Sequence, residues 1–121
     1  MSTEAQVLSG ASECIFCRIV SGEIAAQLVY EDEQTIAFND ANPVAPVHVL
    51  VIPRAHSPTV TAIGDAGLAA LLHSAHQVAE LKGVAESGYR LVFNLGDDGG
   101  QTVFHTHLHV LGGRRMTWPP G

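Results

Sequence analysis

Hydrophobic positions change period several times along this chain, and each change marks an element. Cys14-Ile15-Phe16-Cys17-Arg18-Ile19-Val20 predicts a short helical turn that Ser21-Gly22 stops. Leu28-Val29-Tyr30 and Thr35-Ile36-Ala37-Phe38-Asn39 flank the turn residues Asp32-Glu33-Gln34 and predict a hairpin. His48-Val49-Leu50-Val51-Ile52, closed by Pro53, is the strongest strand signal. Between Asp65 and Lys82 the apolar residues Leu68, Leu71, Leu72, Ala75, Val78 and Ala79 recur at three and four. They form one face of an amphipathic helix, with Asp65 as N-cap and Gly83 as stop. Tyr89–Asn94 predicts a fourth strand. From His105 onward strict alternation predicts a fifth, with His105, His107 and His109 on one face.

One long helix among short strands, with a short N-terminal helix, predicts an α+β fold. The expected sheet is about five-stranded and mostly antiparallel, with a helix covering one face. The 121 residues fit a single domain over 13–121 preceded by a flexible tail over 1–12, which is small, polar and without period.

Composition narrows the function. Apolar residues make up 46% and charged residues 15%, as in a globular chain. Twelve acids against six bases give a net charge of −6, which argues against a nucleic-acid polymer as partner but not against one small nucleotide. No apolar run reaches the roughly 18 residues of a membrane span, and with no basic flank followed by an apolar run near the start a signal peptide is not expected. A cytoplasmic location is expected, where two cysteines are better read as ligands or core residues than as a disulfide.

Three imidazoles at period two, roughly 6.5–7 Å apart on a strand, follow the glycine-bearing loop Gly99-Gly100-Gln101-Thr102-Val103. One reading makes all three metal ligands, although a straight row strains convergence on one ion. The other makes the central histidine a nucleophile, oriented by its neighbours beside an oxyanion-binding loop. Cys14-x-x-Cys17 has metal-ligand spacing, but two thiolates need two further ligands. The plain alternative is a pair of buried small hydrophobes.

His105-Thr106-His107-Leu108-His109-Val110-Leu111 resembles the HxHxHxx signature of the histidine-triad family of nucleotide hydrolases and transferases. The likeness extends to Phe16–Ile24, Ala37–Asp40, Ala45–Pro53 and Asn94–Gly113. Trp118-Pro119-Pro120-Gly121 resembles the tail of the Hint branch, the purine nucleoside phosphoramidases. The resemblance implies that His107 attacks the α-phosphorus of an AMP-like purine nucleotide to form a nucleotidyl-histidine, supported by His109 and His48. It implies backbone donors around Gly100, Gln101, Thr102 and Val103, and Asp40 on the ribose hydroxyls. Phe16, Ile19 and Phe38 would wall the base pocket, Asn94 would lie near the phosphate, and Trp118 would reach the site of a second copy in a homodimer. Without the resemblance, Asp40 reads as an Asx turn and the two phenylalanines as core.

Cysteine-bearing members of the family imply a structural zinc on Cys14, Cys17, His56 and His105, with no cofactor needed for catalysis. Two departures touch specificity. Thr102 stands where the branch usually has serine, and Ala41 is smaller than the isoleucine often found there. The expected activity is hydrolysis of purine nucleoside phosphoramidates, cut at the P–N bond, or of aminoacyl adenylates. The rivals are a dinucleotide polyphosphate hydrolase, a nucleotide-binding interaction protein with little catalysis, and a metalloenzyme using the histidine row.

Overall fold

A computed structural model describes residues 13–121, so the expected tail over 1–12 lies outside the described residues. The elements run α1 (Ile15–Ser21), β1 (Leu28–Glu31), β2 (Thr35–Asn39), β3 (Val47–Pro53), a 3₁₀ turn (Val60–Ala62), α2 (Gly64–Leu81), β4 (Tyr89–Phe93) and β5 (Leu108–Gly112). The five strands form one sheet in the order β1-β2-β3-β5-β4, every neighbouring pair antiparallel. The α+β architecture expected from periodicity is therefore present. Among the described residues no helix is long and apolar enough to cross a membrane.

Strand alternation sorts the core into two layers. Ala37, Val49, Val51, Leu108 and Val110 face α2 and pack on Leu71, Ala75 and Val78. The opposite parity, Ile36, Phe38, Leu50 and Ile52, packs under Phe16 of α1. β3 is buried from His48 to Ile52 because both its faces are covered, which is why its sequence shows no polar alternation. The second face is shared between this smaller apolar cluster and the candidate site.

A buried polar network ties the β1–β2 turn to α2. Asp32 Oδ1 accepts from the Gln34 amide (2.9 Å), the Thr35 amide (2.8 Å) and the Thr35 hydroxyl (3.1 Å), while Oδ2 accepts from Tyr30 (3.1 Å) and Ser74 (3.3 Å). Partial burial works to raise the Asp32 carboxyl, but these donors outweigh it and bring the group down to about 2. Buried Thr35 and Ser74 thereby keep hydrogen-bond partners.

Beyond shifts of one residue at strand ends, the structure departs from the sequence expectation in three places. α2 begins at Gly64 with Ile63 as N-cap and no side-chain cap; Asp65 sits in the first turn, where its charge meets the helix dipole. The 3₁₀ turn over Val60–Ala62 has no apolar periodicity to announce it. β5 starts at Leu108 rather than His105, since its ladder to β3 begins at the Val51–Leu108 pair. Beyond that pair the Thr106 amide and hydroxyl both turn to the Ser57 carbonyl (2.6 and 2.9 Å), and the Pro53 carbonyl faces the His105 ring (2.8 Å). Pro53, with no N–H, ends β3's capacity to continue the ladder.

Candidate active site

The histidine row is divided between two environments. His107 and His109 line a cavity of about 870 Å³ together with Phe16, Ile19, Phe38, Asp40, Thr102 and Val103. His105, fully buried, turns its ring instead toward Cys14, Cys17 and His56. Phe16 stands edge-on to both, with ring centroids 5.9 Å from His105 and 5.2 Å from His107. The groups close enough to hold a metal are Cys14–Cys17–His56–His105 and Asp40–His48–His109, so among the described residues the three histidines of the row do not converge on one ion.

Backbone partners fix the protonation pattern of the imidazoles. The His105 carbonyl can only accept, so His107 Nδ1 at 2.8 Å carries its proton and Nε2 keeps a lone pair. The Val44 amide donates to His48 Nδ1 (3.1 Å), which places the His48 proton on Nε2. That Nε2–H donates to His109 Nδ1 (2.9 Å), with Asp40 Oδ2 at 3.3 Å. Neutral His109 is then protonated on Nε2, a buried atom with no protein partner. A buried donor left unpaired costs free energy unless a ligand or water takes it up.

Burial lowers these pKa values because it disfavours charge. His109 is held down to about 4 by burial first and then by the neighbouring His107 and His48, with Asp40 opposing. Burial also depresses His48, partly offset by Asp40, and depresses His105 despite the Pro53 carbonyl. The folded chain therefore binds fewer protons than the unfolded chain as pH falls from about 6.5 toward about 4, so stability falls across that window. His109 alone is expected to contribute a loss of about 2 kcal/mol between pH 7 and pH 5. Urea midpoints at those two pH values, with His109→Asn beside the parent, measure this; equal pH dependence in both would contradict it.

Asp40 does two things. Its Oδ1 accepts from the Asn42 amide (2.8 Å), which is the Asx turn that local sequence suggests, and its Oδ2 faces His48. The loop before the histidines is held by Gln101. Its amide nitrogen donates to the Pro58 carbonyl (2.7 Å) and the Val103 carbonyl (3.1 Å), while Oε1 accepts from the Gly96 amide (3.1 Å). The Gln101 backbone N–H is used by the Gly96 carbonyl (3.0 Å). The Thr102 and Val103 amides have no protein acceptor among the described residues. A Cβ at Gly99 would collide with the Leu95 backbone, and Gly100 has φ +82, so this loop requires both glycines.

Asn94, Gly100 and Gln101 do not line the cavity, and neither does Trp118, which is 82% exposed. Ile24, Leu50 and Pro43 do line it, and sequence reasoning missed them as site residues. Leu50 carries a usable signal, since it shares the parity of Phe38 and pairs with His109. The controlling backbone groups of Val44, Pro53 and His105 carry no side-chain signal. His76 on α2 lies outside the cavity and bonds the Tyr89 hydroxyl at 2.6 Å.

The four candidate metal ligands come together from three segments. Cys14 caps α1 and receives the Cys17 amide (3.4 Å); its Sγ lies 3.4 Å from His105 Nδ1. Cys17 Sγ lies 3.3 Å from His56 Nδ1 and 3.5 Å from His105 Nδ1. Burial first, then the neighbouring Cys14, pushes the Cys17 thiol up to about 11. The Pro53 carbonyl holds the His105 proton on Nε2, so Nδ1 turns a lone pair toward both sulfurs. A Cys₂His₂ donor set with one imidazole already oriented by a carbonyl fits a closed, four-ligand metal site.

Comparison with known proteins identifies the fold and the family. The HIT domain family model matches residues 21–116, which leaves Cys14, Phe16 and Cys17 outside the match. A HIT-like protein of Synechocystis is 49% identical over 114 residues, covering 92% of this chain and 99% of its own. Among solved structures, a HIT family hydrolase from Legionella pneumophila superimposes with TM-score 0.85 at 50% identity, over 89% of this chain and 99% of that one. A HIT family hydrolase from Clostridium thermocellum gives TM-score 0.82 at 48% identity, over 86% and 93%. With the family model covering most of the sequence and both histidines of its cavity in place, the chain belongs to the HIT family.

Proposed function

We propose that this protein is a nucleotide hydrolase that cleaves purine nucleoside phosphoramidates at the P–N bond, or aminoacyl adenylates, through a nucleotidyl-histidine. The observation that carries the reading is His107: its Nδ1–H is held by the His105 carbonyl and its ring lines the cavity, leaving Nε2 as the reactive lone pair. Solved relatives named as hydrolases support hydrolysis as the reaction class.

In this mechanism His107 Nε2 attacks the α-phosphorus while the P–N bond breaks. The departing nitrogen takes its proton from a water molecule, while the Nε2–H of neutral His109, the unpartnered donor of the site, hydrogen-bonds to it as the bond breaks. The hydroxide so formed attacks the phosphorus, and AMP leaves as His107 recovers its lone pair. His48 orients His109 through the 2.9 Å bond. The Thr102 and Val103 amides, which have no protein acceptor among the described residues, are assigned to the phosphoryl oxygens, and the Thr102 hydroxyl to the departing amine. Asp40 accepts from the ribose hydroxyls, and Phe16, Ile19 and Phe38 wall the base.

The metal site is proposed to hold zinc on Cys14, Cys17, His56 and His105. Bound there, the ion supplies a structural clamp and no open position for substrate. The chain is proposed to act as a homodimer, to which β4 offers an unpaired sheet edge, with Trp118 reaching the second copy's site.

Competing substrates test the reading. Adenosine 5′-phosphoramidate is expected to turn over with the higher kcat/KM than a diadenosine polyphosphate. The reverse order would assign the chain to dinucleotide polyphosphates. Binding of AMP with turnover of neither would make it a nucleotide-binding protein.

A further inference from the structure

The six lysines and arginines fall into two sets. Arg18 pairs with Glu23 at 3.8 Å and Arg54 with Glu31 at 2.8 Å. The other four, Lys82, Arg90, Arg114 and Arg115, all line one cavity of about 840 Å³. Among the described residues none of these four meets a carboxylate, and no Asp or Glu lines the cavity. It lies between the carboxyl end of α2, the start of β4 and the residues after β5, and it shares no lining residue with the histidine cavity.

Gathering two thirds of the cations of a chain of net charge −6 into one concavity opposes their mutual repulsion. Neutral groups hold two of them in place. Arg90 Nη2 donates to the Thr117 carbonyl (2.9 Å). Arg114 donates through Nη1 to the Arg115 carbonyl (3.2 Å) and through Nη2 to the Val44 carbonyl (3.2 Å). Each guanidinium has five N–H donors, so these bonds orient the forks while leaving charge and most donors unspent. Carbonyls at the end of α2 do not supply the missing negative charge. The Lys82, Gly83 and Val84 amides fold back onto those of Val78, Glu80 and Ala79.

We propose that this cavity is a second binding site, separate from the histidines, for a small polyvalent anion bearing phosphate or carboxylate groups. Its volume falls within the range of about 300–1,000 Å³ usual for small-molecule sites. Planar guanidinium forks match either oxyanion, and the Ser87 hydroxyl adds a neutral donor to the wall.

The test titrates the full chain separately with inorganic pyrophosphate and with citrate, following backbone amides by NMR. The site predicts saturable shifts clustered at Gly83, Gly88 and Gly113, with affinity falling as salt rises. The tighter of the two probes identifies phosphate or carboxylate as the preferred group. Combining Lys82→Gln with Arg115→Gln, whose side chains make no protein hydrogen bond among the described residues, should weaken binding about tenfold or more with the melting temperature unchanged. The proposal is overturned by no saturation with either probe at millimolar concentration, by equal affinity in the variant, or by shifts confined to Thr102, Val103 and His107.

Discussion

Replacing His107 by glycine is expected to lower kcat/KM for adenosine 5′-phosphoramidate by about a thousandfold or more, and added imidazole should restore part of it. No other ring can take the role, because His109 Nδ1 is occupied by His48 and its Nε2 carries a proton. His105 is turned away toward the cysteines. AMP affinity should change far less than turnover, since Phe16, Ile19, Phe38 and Asp40 still form the cavity. Steady-state kinetics with and without imidazole, beside AMP binding, read all three quantities. Retained activity in the glycine variant would remove His107 from the chemistry.

The second large effect concerns the cysteine site. Prolonged chelation, or Cys17→Ser, is expected to destabilise the fold by about 3 kcal/mol or more. For a chain of this size that lowers Tm by roughly 10 °C. The four candidate ligands come from α1, the loop after β3 and the segment entering β5, and α1 meets the two histidines through weak sulfur contacts. Brief chelation should leave kcat unchanged, because a closed site offers no substrate position. Metal analysis and differential scanning calorimetry on parent and Cys17→Ser decide this. Equal Tm values with no metal in either would leave Cys14 and Cys17 as ordinary packing residues.

The link between the two sites runs through one residue. The His105 ring faces the sulfurs while its own carbonyl fixes the His107 proton. A loosened metal site should therefore reach turnover only through the orientation of His107, slowly and together with the loss of stability.

Much of the fold was legible because side-chain parity sets which face a strand buries. Val49 and Val51 against Leu50 and Ile52 separate cleanly into the two cores. The 3.6-residue period likewise placed Leu71, Ala75 and Val78 on the buried face of α2. Parity failed at His105, because the strand does not yet exist there. Pro53 ends the β3 ladder, and the Ser57 carbonyl draws Thr106 aside. The Gln101 staple, the Val44 amide on His48 and the carbonyl on His107 are tertiary backbone bonds without residue-type signatures. That the cysteines meet His56 and His105 was implied by family resemblance, not by spacing. The basic cavity was invisible for a simpler reason: its cations lie on three segments that only folding brings together.

The most direct measurement mixes excess enzyme with adenosine 5′-phosphoramidate, quenches within milliseconds and weighs the intact protein. The account predicts a transient adduct of AMP mass in the parent, mapping by peptide analysis to His107 and absent from His107→Gly. Turnover by the parent with no adduct at any quench time, under conditions that preserve phosphoramidate bonds, would contradict covalent catalysis at His107.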